Sequence, residues 1–75
     1  MNKERRGTIS KVVDMLNEAK ETLEDVKQEE EDVMYNMPEN LQGSERYENM
    51  ETAVDNMEDA LSDIESAISG LGEIV

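Results

Sequence analysis

The chain has no cysteine, no histidine, one proline, two aromatic residues and no apolar run longer than three residues. Without cysteine there is no disulfide, and without cysteine or histidine the usual ligands of a structural zinc are missing. The same two residue types supply the commonest general bases, nucleophiles and transition-metal ligands. Serine and threonine remain, but none stands in an arrangement with lysine or aspartate that resembles an activated nucleophile. No enzymatic activity and no cofactor are therefore expected. Tyr35 and Tyr47 are too few to centre a core on aromatic rings. The apolar runs are too short to span a bilayer, and the basic start MNKERRGTIS is followed by no apolar signal-peptide core. A cytoplasmic protein is expected, a setting that the lack of cysteine fits.

What the 75 residues do contain is charge in excess and apolar residues in register. Twenty acidic and seven basic residues give a net charge of −13. Such a balance is compatible with disorder, but disorder does not require periodicity. In one segment Ile9, Val12, Leu16, Ala19, Leu23, Val26, Glu30, Val33 and Met37 recur at alternating spacings of three and four. In a second, Tyr47, Met50, Val54, Met57, Leu61, Ile64, Ile68, Leu71 and Val75 do the same. This is the heptad pattern of packed helices, broken only by Glu30.

Between the segments, Pro38 disfavours helix at Met37, Gly43 supplies a joint, and Ser44 is a natural N-cap followed by Glu45 and Glu48 in the first turn. The expected fold is all-α, one domain over 1–75: helix 3–36, loop 37–44 and helix 45–71. Gly70 and Gly72 should fray its end, and Gly7 should soften its start. Each helix is roughly 40–50 Å long at 1.5 Å per residue, and so short a connection makes them antiparallel neighbours. Folded about the loop, the nine heptad positions of each segment meet layer by layer, from Met37 with Tyr47 to Ile9 with Val75. Beside the seam Lys20 comes opposite Glu65, and Lys27 opposite Glu58. Such exposed pairs contribute little energy but select register.

On the other flank Ala53, Ala60, Ala67 and Ile74 recur every seven residues, facing Thr8, Met15, Thr22 and Glu29. Small side chains admit another helix closely, so Met15, Thr22, Ala53, Ala60, Ala67 and Ile74 form a candidate self-association strip. Two hairpins joined there make a four-helix bundle, which a chain too small for a self-sufficient core would need. Helix propensity of alanine alone is the competing explanation.

The acids are segregated. Residues 21–66 carry 16 acids against Lys27 and Arg46, a net of −14, while the remainder is at +1. Such a field repels nucleic acid and anionic lipid and attracts basic protein surfaces. Glu29, Glu31, Asp32, Glu48, Asp55 and Asp59, all outside the heptad core, are the candidate partner-binding residues. Carboxylates along a rod can occupy a groove built for a phosphate backbone, so mimicry of nucleic acid is one reading. Another is that acidity only keeps a small helical protein dispersed. No calcium-loop spacing occurs, and no metal site is expected beyond weak divalent-cation binding by the run Gln28–Asp32. Glu30 is expected to snorkel to water, to meet Arg46, or to receive a partner's cation. Met34, Met37 and Leu41 cluster about the loop with the two tyrosines, a second adaptable surface or a plug for the open end of the hairpin.

The loop segment NMPENLQGSERYE, Asn36–Glu48, resembles a signature of small acidic helical proteins of Gram-positive gut bacteria, their phages and other mobile elements. The heptad segments on either side resemble that group more loosely. The resemblance implies a phage or mobile-element setting in a bacterial host. It implies no catalytic residues. An inhibitor of a host DNA-handling protein fits such a setting.

Overall fold

The computed structural model describes all residues, 1–75. It is a helical hairpin: α1 (Lys3–Tyr35), one 3₁₀ turn (Glu39–Leu41) and α2 (Glu45–Gly72), with the two long helices packed against each other. The principal extents are 59 × 15 × 13 Å. The radius of gyration, 17.2 Å, compares with about 11 Å for a compact domain of this length. The molecule is a rod, and a rod of two helices has little interior.

Local chemistry sets the ends of the helices. The Asn2 side chain accepts a hydrogen bond from the Arg5 backbone N–H at 2.8 Å, and Ser44 Oγ accepts from the Tyr47 N–H at 3.2 Å. Each side chain thereby satisfies one of the donors that a helix start leaves unpaired. At the end of α1, Asn36 donates from its side chain to the Asp32 carbonyl at 2.8 Å, and Pro38 cannot continue the ladder. α1 stops at Tyr35, one residue before the expected 36. The 3₁₀ turn, absent from the expected loop, is closed by the Leu41 N–H donating to the Pro38 carbonyl at 2.9 Å. No residue has a positive φ, so the turn at Gly43 does not require glycine. α2 runs through Gly70 to Gly72, one residue past the expected 71.

The seam on α2 is the expected one up to Leu71: Met50, Val54 and Leu61 are buried, with Tyr47, Met57, Ile64, Ile68 and Leu71 half-buried, but Val75, expected opposite Ile9, is 53% exposed beyond the end of the helix. The seam on α1 corrects the expectation. Ile9, Leu16, Leu23, Glu30 and Met37 face α2, but the alternate positions are Val13, Lys20, Lys27 and Met34, each one residue later than expected. Val12, Val26 and Val33 are 39%, 47% and 48% exposed, and Ala19 is exposed as well. The reason lies in the side chains at the neighbouring positions. Met34 reaches farther than Val33 and packs with Met50 and Val54 in the best-buried cluster, near the loop. Lys20 and Lys27 lay apolar stems along the seam and carry their ammonium groups out to carboxylates. α1 is thus rotated by about half of the 100° between successive residues, and its valine row lies on the open flank of the seam.

Candidate functional site

That rotation gives the hairpin two unlike sides. On the first, Lys27 Nζ lies 3.1 Å from Glu31 Oε1 and 3.4 Å from Glu58 Oε1. Lys20 Nζ lies 3.4 Å from Glu65 Oε1 and 3.8 Å from Glu24 Oε1. The two cross-helix pairs are those implied by the heptad spacing. Together the lysines pair with four acids along the middle of the rod and offset two of their four charges. Toward the loop no further cation follows on this side. At 3.6 residues per turn, Glu48, Glu51 and Asp55 share this flank of α2, all exposed and none in an ion pair.

The six acids singled out in the sequence do not form one surface. Glu48 and Asp55 lie on the acidic side as an exposed patch, and Glu51, not among the six, completes it. Its signal was visible as the third member of an i, i+3, i+7 row. Glu31 shares that side but is held by Lys27 and is only 21% exposed. Asp32 accepts a hydrogen bond from Gln28 Nε2 at 3.0 Å. By helical spacing Asp32 and Asp59 project from the outer backs of the two helices. Glu29 lies on the opposite side, where it lines a shallow depression with Val26, Glu30 and Val33.

The Glu31 carboxylate, hydrogen-bonded to Lys27, raises the lysine pKa above the ordinary 10.5; partial desolvation opposes this, and Glu58 adds to it. A raised pKa means that the fold binds this proton more tightly than the unfolded chain does. The contribution is therefore fully present below pH 10.5 and lost as the pH rises through the raised value. The difference in melting temperature between wild type and Lys27→Met is expected to hold up to pH 10.5 and to shrink as the pH rises above it. A difference independent of pH over that range would contradict the pairing.

The second side is apolar. Met15 is 63% exposed, and the Val12, Val26, Val33 row lies beside it on α1. On α2 Ala53 and Ala60 are half-buried, and Thr22 and Ala67 are exposed. Ile74 is 38% exposed in the turn after α2. The expected strip is thus open to solvent and is broadened by the valine row, which the sequence reading had assigned to the seam. All three surface depressions lie on this side, in the loop half. Glu30 and Arg46 line one of them together but form no ion pair. A half-buried carboxylate without a cation stabilises nothing in the hairpin itself. Glu30→Met is expected to raise stability by about 1 kcal/mol and Tm by about 4–8 °C. A lowered Tm in thermal melts would show that Glu30 makes an interaction the apolar side chain cannot replace.

Two further features of the chain bear on function. No three of its acidic side chains are grouped to hold a metal ion, and no helix is long and apolar enough to cross a membrane. No protein-family model, no curated protein and no solved structure matches the chain.

Proposed function

We propose that this chain is a non-catalytic binding protein whose acidic loop half engages a basic surface on another protein, acting as a self-associated helical rod in the bacterial cytoplasm. The observation that carries this reading is the run of unpaired carboxylates Glu48, Glu51 and Asp55 on one flank of α2, with the lysines of that side already bound to other acids and Arg46 on the opposite side. Like charges concentrated in this way repel one another, which disfavours the compact state. A basic partner relieves that repulsion.

The sharper form of the proposal is mimicry of a nucleic-acid backbone. Residues 21–66 hold a net charge of −14, and the α2 part of that segment is about 33 Å long at 1.5 Å per residue. One net charge about every 2.4 Å falls between the spacing of about 3.4 Å along a single strand and about 1.7 Å along duplex DNA. The molecule is elongated, 59 × 15 × 13 Å, and its carboxylates lie on an outer flank, where a groove can reach them. The resemblance of the loop to proteins of phages and mobile elements makes a host nucleic-acid-handling protein the natural target, and inhibition by competition the natural mode.

A second reading, that of a structural adaptor built by self-association alone, is favoured by the open valine and alanine rows. Weak divalent-cation binding is the least supported, because the carboxylates are not clustered. Capture from a Gram-positive bacterial lysate separates the first two. The immobilised chain is expected to retain one basic protein at about 0.1 M salt and to release it by about 0.5 M, as the screening length shortens. Retention of nothing but the chain itself favours the adaptor.

A further inference from the structure

Extending the self-association in that proposal, we infer that two copies of this chain pack head to tail through the apolar side, around a two-fold axis level with the gap between Ala19 and Val26 on α1 and between Ala60 and Ala67 on α2. The interface so defined includes the valine row of α1, which the heptad pattern had assigned to the interior of a single hairpin.

The amount of open surface points to a second copy. The accessible surface is 5599 Å², about 900 Å² more than the roughly 4,700 Å² of a compact chain of this mass. A standard interface removes about 800 Å² from each partner. Only four residues of the isolated hairpin are buried, all in the one seam. The unfilled depressions are confined to the apolar side, and so are Val12, Met15, Val26 and Val33.

Symmetry fixes the orientation. A two-fold axis perpendicular to the rod sets each row against its own reverse. On α1 the row Val12, Ala19, Val26, Val33 then pairs Val12 with Val33 and Ala19 with Val26. On α2 the same axis sets Ala60 against Ala67, while Ile74, the next seven-residue step, lies in the turn after the helix. The ion pairs Lys20–Glu65 and Lys27–Glu58 fix how α1 and α2 are aligned along the rod, and under that alignment the middle of the α1 row lies level with residues 62–63, in the gap between Ala60 and Ala67.

Charge supports the same direction. Residues 21–66 carry −14 and the remainder +1, so parallel packing would set one strongly acidic half against the other. Head-to-tail packing sets each acidic half against a basic end. Arg5, which continues the valine row at the loop-distal end, comes level with the loop near Glu39. The acidic sides with Glu48, Glu51 and Asp55 point outward and stay free for another partner.

The chain lacks cysteine, so single introduced cysteines report the geometry without interference. Sedimentation equilibrium at tens of micromolar is expected to give twice the 8.5 kDa chain mass, and Ala60→Glu is expected to return it to one chain with helicity kept. Under mild oxidation Thr22→Cys, beside the axis, should crosslink with itself. Val33→Cys should crosslink with Val12→Cys in a mixture, and neither should do so alone. A single-chain mass at every concentration would overturn both self-association and this geometry. A double mass with Val33→Cys crosslinking to itself would overturn the head-to-tail packing alone.

Discussion

Leu61→Ala is expected to lower the melting temperature by about 10–20 °C, the largest loss from any single truncation of this kind. Leu61 is one of only four buried residues and the only one outside the methionine–valine cluster near the loop. It holds the middle of the rod, where each helix contributes one side chain per layer and no third element can collapse into the gap. Truncating a buried leucine costs about 2–5 kcal/mol; the thin surroundings of Leu61 put it near 2–3 kcal/mol. A domain of this size has on the order of 4–11 kcal/mol in all, and each kcal/mol is worth about 4–8 °C. Melting followed by circular dichroism checks it, with Leu41→Ala as the exposed counterpart at 44% exposure. Equal small shifts in both would mean that the seam does not carry the stability.

Replacing Glu48, Glu51 and Asp55 together by lysine is expected to weaken partner binding by about 100-fold or more, while the helical content stays unchanged. Each reversal removes an attraction and adds a repulsion, and three together exceed about 3 kcal/mol where the charges come close to a basic surface. Within α2 the substitution exchanges one set of like charges for another, so local repulsion changes by only a few tenths of a kcal/mol. The triple variant keeps the apolar side intact, so self-association should survive. Reversing Glu29, on the apolar side, should leave the partner's affinity nearly unchanged. Equal losses from Glu29→Lys and from the triple variant would mean that total charge, rather than the α2 patch, governs binding.

The hairpin was legible in the sequence because three independent signals agreed: the heptads of each segment, Pro38 with the Ser44 cap, and the two lysines falling opposite Glu58 and Glu65. The rotation of α1 was not. Val12 is followed by Val13, and Val33 by Met34, so two adjacent rows are both fit to be buried. Lys20 and Lys27 read as flank residues by polarity, yet their stems serve as seam. Pattern alone weighs the ammonium and not the four methylenes beneath it. The same rotation explains why Glu31, exposed by pattern, is held by Lys27. Glu51 beside Glu48 and Asp55 owes nothing to it, because that row lies on α2 and follows from helical spacing alone. The alanine strip was legible by its seven-residue period. The valine row beside it was hidden, because it had been assigned to the core.

The most direct test of the account is competition on the protein that the chain retains from a Gram-positive bacterial lysate. Duplex DNA is expected to displace the chain from that protein, and the chain to displace DNA, with the triple lysine variant failing to do either. A retained protein that binds DNA and this chain at once, with the triple variant bound as tightly as wild type, would contradict the acidic loop half as the binding surface.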